Sequence, residues 1–286
     1  MFKSFCKMAV LTSIASFAVF TSCVNPASSG GNGGGNSGGN GGNSGGGGGG
    51  ERKIISYIGK KAPTEQKNAG DIVFSDGSAT PYNINLSLTR EQKAKVIAVI
   101  FYAGTECSDD GRIRVLGIGL HQCGKVTWCE PNANGYKNNI EYIQCSDELK
   151  GIKDGSGNFS SIKRFFNQKG IPDDTAIESY YPAFHAAKNY GDNLHASTDI
   201  VYTENWYLPS AAEGWKIMEN LQLIKNVCSI CGVTDFEELV SFWTSSQHPT
   251  GIHEAQVAST LCMPEKHYIG QFLKAMPGNI VAIREF

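Results

Sequence analysis

The chain has 286 residues, 41% hydrophobic and 18% charged, with a formal net charge of −2. No block of Lys and Arg stands out, which excludes the electrostatic footprint of a nucleic-acid binder. Beyond its first 50 residues the chain keeps about 236 positions, enough for one domain or two small ones.

Lys3 and Lys7 precede an apolar stretch over residues 8–20. It is too short to cross a bilayer as a stable helix and fits a secretory signal. Phe20, Thr21, Ser22 and Cys23 follow and resemble the lipobox of bacterial lipoproteins. The resemblance implies a signal peptide over 1–22, cleavage before Cys23, and fatty acyl chains such as palmitate on the Cys23 thiol. Each buried methylene is worth about 0.8 kcal/mol, so several chains make a stable anchor. The expected location is the cell surface, lipid-anchored to the outer membrane. Residues 24–50 are almost pure Gly, Ser and Asn. They offer no apolar area to offset backbone entropy, so 23–50 is expected to be a lipidated cysteine plus a flexible tether. About 27 such residues reach on the order of 30 Å. Loss of Lys3 and Lys7 with the signal takes the net charge to −4. No second apolar stretch is long enough to span a membrane.

Within the domain over 51–286, residues 70–78 read as a strand entering an Asp76-Gly77 turn. Thr89 and Gln92 have capping-box spacing and open a short helix. Residues 96–102 and 113–120 are β-branched and aromatic runs, expected to pair as an antiparallel hairpin. The stretch 124–170 is polar and irregular, with 160–167 its best helical candidate. Pro182 opens a helix over 182–190 that Gly191 ends. Ser210 and Glu213 repeat the capping box, and the helix behind them lines up Ala211, Trp215, Met218 and Leu221. A third short helix is expected over 234–239. Residues 242–246 read as a strand, and 280–286 as a final strand that pairs with the first. Residues 248–279 lack period 2 or 3.6 over any long window and read as an extended, functional loop.

Several chemistries are discounted on spacing. Seven cysteines follow Cys23: Cys107, Cys123, Cys129, Cys145, Cys228, Cys231 and Cys262. An odd number leaves at least one thiol unpaired, although export favours disulfides. Cys228 and Cys231 form a Cys-x-x-Cys without a second pair, so a zinc site is not expected, and a local disulfide or two packed thiols is. Glu130, Pro131 and Asn132 match the tripeptide of calcium-dependent sugar binding, but its downstream partner is absent, so a turn is expected. Asp109, Asp110 and Glu130 leave a structural calcium open. His121, His185, His195, His248, His253 and His267 are scattered, and Gly117 and Gly119 lie inside a strand without a dinucleotide fingerprint. No metal and no cofactor is expected.

Three stretches then line up in order. Trp206, Tyr207, Leu208, Pro209 and Ser210 with Glu213 are similar to a W-x-L-P-[ST]-x-x-E helix start. Phe242, Trp243, Thr244, Ser245 and Ser246 are similar to an [FY]-W-[ST]-S-[ST] strand. Residues 281–286 look like a V-R-A-V-R-x-F ending. Together they resemble C-type-lectin-fold domains of the formylglycine-generating-enzyme group. Within it they are similar to variable proteins of diversity-generating retroelements, of the treponemal variable lipoprotein type, which the DIVFSDGS and VIAVIFYAG segments also match. The resemblance covers residue 71 to the end. It implies an α+β C-type-lectin fold with small twisted antiparallel sheets, short helices and long irregular loops. It also implies a C-terminal variable region, about 243–286, whose changes at adenines are tolerated because core and backbone bonds elsewhere hold the fold.

If the varied codons are Asn codons ending in a pyrimidine, Lys, Glu, Gln, Met and Trp cannot arise from them. The expected ligand-binding surface is then His248, Thr250, Ile252, His253, Ala258, Thr260, Leu261, Cys262, His267, Tyr268, Phe272 and Leu273. Glu254, Gln256, Met263, Lys266 and Lys274 are expected to be scaffold, and Trp243 to pack within it. The expected function is recognition of a macromolecular ligand, protein or glycan, by a monomer that is not an enzyme. The alternative is a thiol-dependent or formylglycine-generating-like enzyme of the same fold.

Overall fold

The computed structural model describes residues 56–146, 149–194, 202–249, 257–262 and 268–286. The chain divides into two units, Met1–Lys53 and Ile54–Phe286, and every described residue lies in the second. The signal, Cys23 and the tether therefore fall outside the described residues. The architecture is mixed, with small antiparallel sheets and short helices.

The Asp76-Gly77 turn joins β1 (Asp71–Phe74) to β2 (Ala79–Pro81). Gly77 takes a left-handed φ of 83°, where a side chain would be strained. Helix α1 (Arg90–Lys95) starts with both bonds of the expected capping box, between Thr89 and Gln92. β3 (Val96–Gly104) and β4 (Arg114–Gly119) form the expected hairpin. β5 (Lys125–Val126) and α2 (Asn134–Lys137) lie in the irregular stretch, followed by α3 (Asn158–Lys169), which Gly170 closes in the left-handed conformation. Then come α4 (Pro182–Lys188), α5 (Tyr190–Asn193), α6 (Ala211–Glu219) and α7 (Leu221–Cys231). The chain ends with β6 (Ser241–Trp243), β7 (Val257–Cys262), β8 (Tyr268–Leu273), β9 (Gly278–Asn279) and β10 (Ile283–Glu285).

The main sheet runs β10-β4-β3-β1-β2, a second runs β6-β7-β8, and β5 pairs with β9. Both faces of the main sheet are covered. Ile72, Phe74, Val99, Phe101, Leu116, Ile118 and Ile283 pack with Ile217, Ile224, Val227 and Phe242. The alternate residues Val73, Ala98, Ile100 and Ala282 pack in a second cluster with Trp128, Phe166, Tyr181, Trp206 and Trp243. Two-sided burial explains why residues 96–102 are apolar without alternation. Each fully buried Ile or Phe contributes about 1.5–3 kcal/mol. Among the described residues, no helix is long and apolar enough to cross a membrane.

The structure corrects four expectations. Residues 234–239 form turns rather than a helix, closed by single bonds from Glu237 to Thr234 and from Leu239 to Phe236. Phe236 and Leu239 are instead pinned in the core. The final strand pairs with β4, not with β1, whose two edges are already taken by β2 and β3. Residues 248–279 are not one loop: β7 and β8 pair over six positions, from Val257 opposite Leu273 to Cys262 opposite Tyr268. Gly191 does not end α4 but lies within α5, packed so tightly on the Thr203 backbone that a methyl group would overlap it.

Candidate functional site

The three stretches singled out in sequence meet in space. Tyr207 and Ile283 exchange backbone bonds of 2.9 and 3.0 Å. The Ser245 amide donates to the Pro209 carbonyl at 2.7 Å, and the Ala211 amide to Ser246 Oγ at 2.9 Å. Residues from 206–213, 242–246 and 281–286 therefore form one hydrogen-bonded frame.

At its centre lies a buried ion pair. Ser210 caps α6 by accepting from the Glu213 amide at 3.1 Å, and Glu213 Oε2 accepts from the Ser210 amide at 2.8 Å. The wholly buried Glu213 also takes the Gly155 amide on Oε2 at 3.1 Å. Its Oε1 takes the Tyr207 hydroxyl at 2.8 Å and Arg114 Nη1 at 2.7 Å. Arg114, also fully buried, donates to the Cys107 carbonyl, to the Tyr207 hydroxyl and to Glu285. Burial pushes the Glu213 carboxyl up to about 7, against the opposing pull of Arg114. Both carboxylate oxygens hold two donors each, which leaves none for a substrate. The network ties residues 206–213 to β4 and to Gly155.

The β7–β8 hairpin is attached to that frame at its base. Thr244 donates through both its amide and its hydroxyl to the Ser259 carbonyl, at 3.0 and 2.8 Å. Gln247 receives the Ile140 amide on Oε1 at 2.9 Å and donates its own amide to the Ile143 carbonyl at 3.0 Å. Trp128 donates its indole N–H to the Thr244 carbonyl at 2.9 Å and its amide to the Lys274 carbonyl at 2.8 Å. Lys274 is itself fully buried, with Nζ 2.6 Å from the Gly135 carbonyl and 4.7 Å from the centre of the Trp128 ring. Burial pulls its ammonium down to about 7.

The expected ligand-binding residues scatter between interior and surface. Phe272 and Leu273 are 39% and 38% exposed at the end of β8, beside the exposed Gln271 and Met276. His248 is 4% exposed and Ala258 fully buried, so neither presents a side chain to solvent, and both expectations are corrected. Ala258 lies on β7 and packs in the second core cluster. Thr260, Leu261 and Cys262 lie on β7 and Tyr268 on β8. Thr250, Ile252, His253 and His267 fall outside the described residues, as do Glu254, Gln256, Met263 and Lys266. Of the expected scaffold, Trp243 and Lys274 are buried.

A feature that sequence reasoning missed is a cleft of about 350 Å³ where α3 and α4 face residues 205–208. Phe159, Phe184, Trp206 and Tyr207 wall it, and Ser160 and Lys188 line it. Three of these aromatic residues stand far apart in the chain, so no local motif marks them.

Other sites resolve into structural roles. Cys107, Cys123, Cys129, Cys228 and Cys231 are free thiols. Burial raises Cys123, Cys129 and Cys228 to about 12 and Cys231 to about 11, which leaves little reactive thiolate at neutral pH. Cys228 and Cys231 lie on α7, so the Cys-x-x-Cys is a pair of packed thiols. Glu130-Pro131-Asn132 is a turn closed by the Ala133 amide on the Glu130 carbonyl at 2.9 Å. Asp109 accepts the amides of Lys153 and Asp154, and Asp110 those of Arg112 and the Ser108 hydroxyl. Among the described residues, no group of His, Cys, Asp and Glu is placed to hold a metal ion. Gly117 and Gly119 are steric: an added methyl would overlap the Phe286 ring at one and the Tyr190 ring at the other.

No family model matches the chain, and no curated protein matches it. Among solved structures, it is similar to a fimbrial protein from Bacteroides ovatus, with a TM-score of 0.50 and 12% identity. The likeness covers 77% of this chain and 49% of that one, so the chain spans about half the length of the protein it matches. At that identity the likeness is one of fold alone.

Proposed function

We propose that the chain is a surface-displayed ligand-binding protein with a C-type-lectin fold, whose C-terminal segment is diversified by a retroelement to vary what it recognises. One observation carries the reading: the three motifs that prompted it meet in a buried, bonded frame, while Phe272 and Leu273 project from the hairpin mounted on that frame. Such a division lets exposed side chains change without loss of the fold, since surface substitutions away from caps and buried networks cost within about 0.5 kcal/mol. Aromatic side chains such as Phe272 supply rigid contact area to a protein or glycan ligand, as in other adaptable binding surfaces. The burial of Lys274 fits a position outside the varied set. The fimbrial character of the similar Bacteroides protein supports association with a cell surface, and the lipobox-like Cys23 supplies the anchor at the outer membrane.

The reading is tested at the gene. DNA downstream should hold a near-duplicate of the last coding segment beside a reverse transcriptase gene. Isolates should differ at the codons of Thr250, Ile252, His253, Thr260, Leu261, Cys262, His267, Tyr268, Phe272 and Leu273. Changes confined to Glu254, Gln256 and Lys266 would refute the assignment. Protease added to intact cells should release the domain.

A further inference from the structure

We propose that the cleft between α3, α4 and residues 205–208 is a binding site for a carboxylated sugar, a uronic or nonulosonic acid. Its volume of about 350 Å³ falls in the range of small-molecule sites. Its aromatic residues present no free polar atom, because those atoms are already committed. The Tyr207 hydroxyl is held by Arg114 and Glu213, and the Trp206 indole N–H donates to the Tyr202 carbonyl at 2.9 Å. Phe159 stacks on Phe184 with centroids 4.8 Å apart and planes within 14°. Phe184 and Trp206 are buried, so the apolar surface left for the ligand belongs to the half-buried Phe159 and Tyr207, against which the C–H face of a pyranose can lie.

The polar lining complements a sugar acid. Ser156, Ser160 and Asn205 line the cleft with exposed side chains whose hydroxyls and amide bond nothing among the described residues. Lys188, at the end of α4, makes no ion pair or hydrogen bond there either, and it is the sole charged residue in the lining. One cation without a carboxylate selects a monoanion over a polyphosphate and excludes a metal centre. Asn205 holds a left-handed φ of 64°, a conformation Asn tolerates better than most residues. The neighbouring Tyr207 is fixed by its two bonds to Ile283, so the cleft is formed before ligand arrives. All these residues precede the segment 243–286, so the site stands whether or not that segment is diversified.

The test is saturation-transfer NMR and titration on the detergent-solubilised full chain. The probes are D-glucuronate, N-acetylneuraminate, D-glucose and benzoate. At least one sugar acid should bind saturably, and more tightly than glucose or benzoate. Lys188→Ala should weaken that acid about 5-fold and leave glucose unchanged, as expected for one exposed ion pair. Ser160→Trp, an exposed change that fills the cleft, should abolish binding of the acid. Absence of saturable binding by both acids overturns the proposal. So does equal binding of glucose or benzoate, or unchanged acid binding in the two variants.

Discussion

Lys274 offers the sharpest physical test of the frame beneath the hairpin. Its side chain is fully buried, and its ammonium is pulled by burial from the usual lysine value of ~10.4 down to about 7. Among the groups opposing this are Cys129, the Gly135 carbonyl at 2.6 Å, the Asn138 carbonyl at a long 3.4 Å, and the Trp128 ring. One strong charged hydrogen bond contributes about 1.5–3 kcal/mol, less than the several kcal/mol that burial of an ammonium costs. A neutral amine also keeps its donor to Gly135, so the contact survives loss of the proton. The drop of the ammonium to about 7, at ~1.36 kcal/mol per pH unit, is on the order of 4–5 kcal/mol. The unfolded chain binds this proton up to pH ~10.4, whereas the folded chain releases it near pH 7. Below pH 7 the cost is fully present. Between pH 7 and ~10.4 the contribution of Lys274 to stability rises by up to ~1.36 kcal/mol per pH unit, then levels off. Denaturant unfolding of the natural chain and of Lys274→Met, at pH 7, 8, 9 and 10, isolates the group, because other titrations cancel in the difference. The natural chain should gain on the variant by about 3–4 kcal/mol across that range. A difference that stays flat with pH would mean the ammonium keeps its charge in the fold, and the desolvation argument would be refuted.

Three further outcomes follow from the buried geometry. Glu213→Gln removes the fully buried counter-charge of Arg114 and should lower unfolding free energy by about 3 kcal/mol or more, read by chemical denaturation. Loss of less than about 1 kcal/mol would show that Asp154 and Glu285 suffice. Gly117→Ala drives a methyl into the Phe286 ring and should cost about 1–3 kcal/mol, while Gly157→Ala, which meets nothing within 4 Å, should stay within about 0.5 kcal/mol. Cys228 and Cys231 should resist alkylation in the folded chain at pH 7 and react fully in denaturant, as mapped by peptide mass spectrometry. Rapid native alkylation of either would revive the thiol-enzyme reading.

How much was legible in sequence tracks how local each signal is. The capping boxes at Thr89 and Ser210, the Asp76-Gly77 turn and the apolar runs of β3 and β4 depend on residues within a few positions of one another, and each forms as read. The helix expected behind Ser210 ends at Glu219, and Leu221, expected on its face, instead opens α7. The β7–β8 hairpin was hidden because Ala258, Ser259 and Gly270 carry little apolar signal, while both strands gain their pairing from each other. Tertiary structure alone decided the rest. It placed β10 against β4 because that edge was open, and it buried His248 and Ala258, which the resemblance and its codon logic had put outside. It also drew Phe159, Phe184 and Trp206 around one cleft. Such arrangements depend on which distant surfaces exclude water together, and burial of that kind leaves no period in the chain.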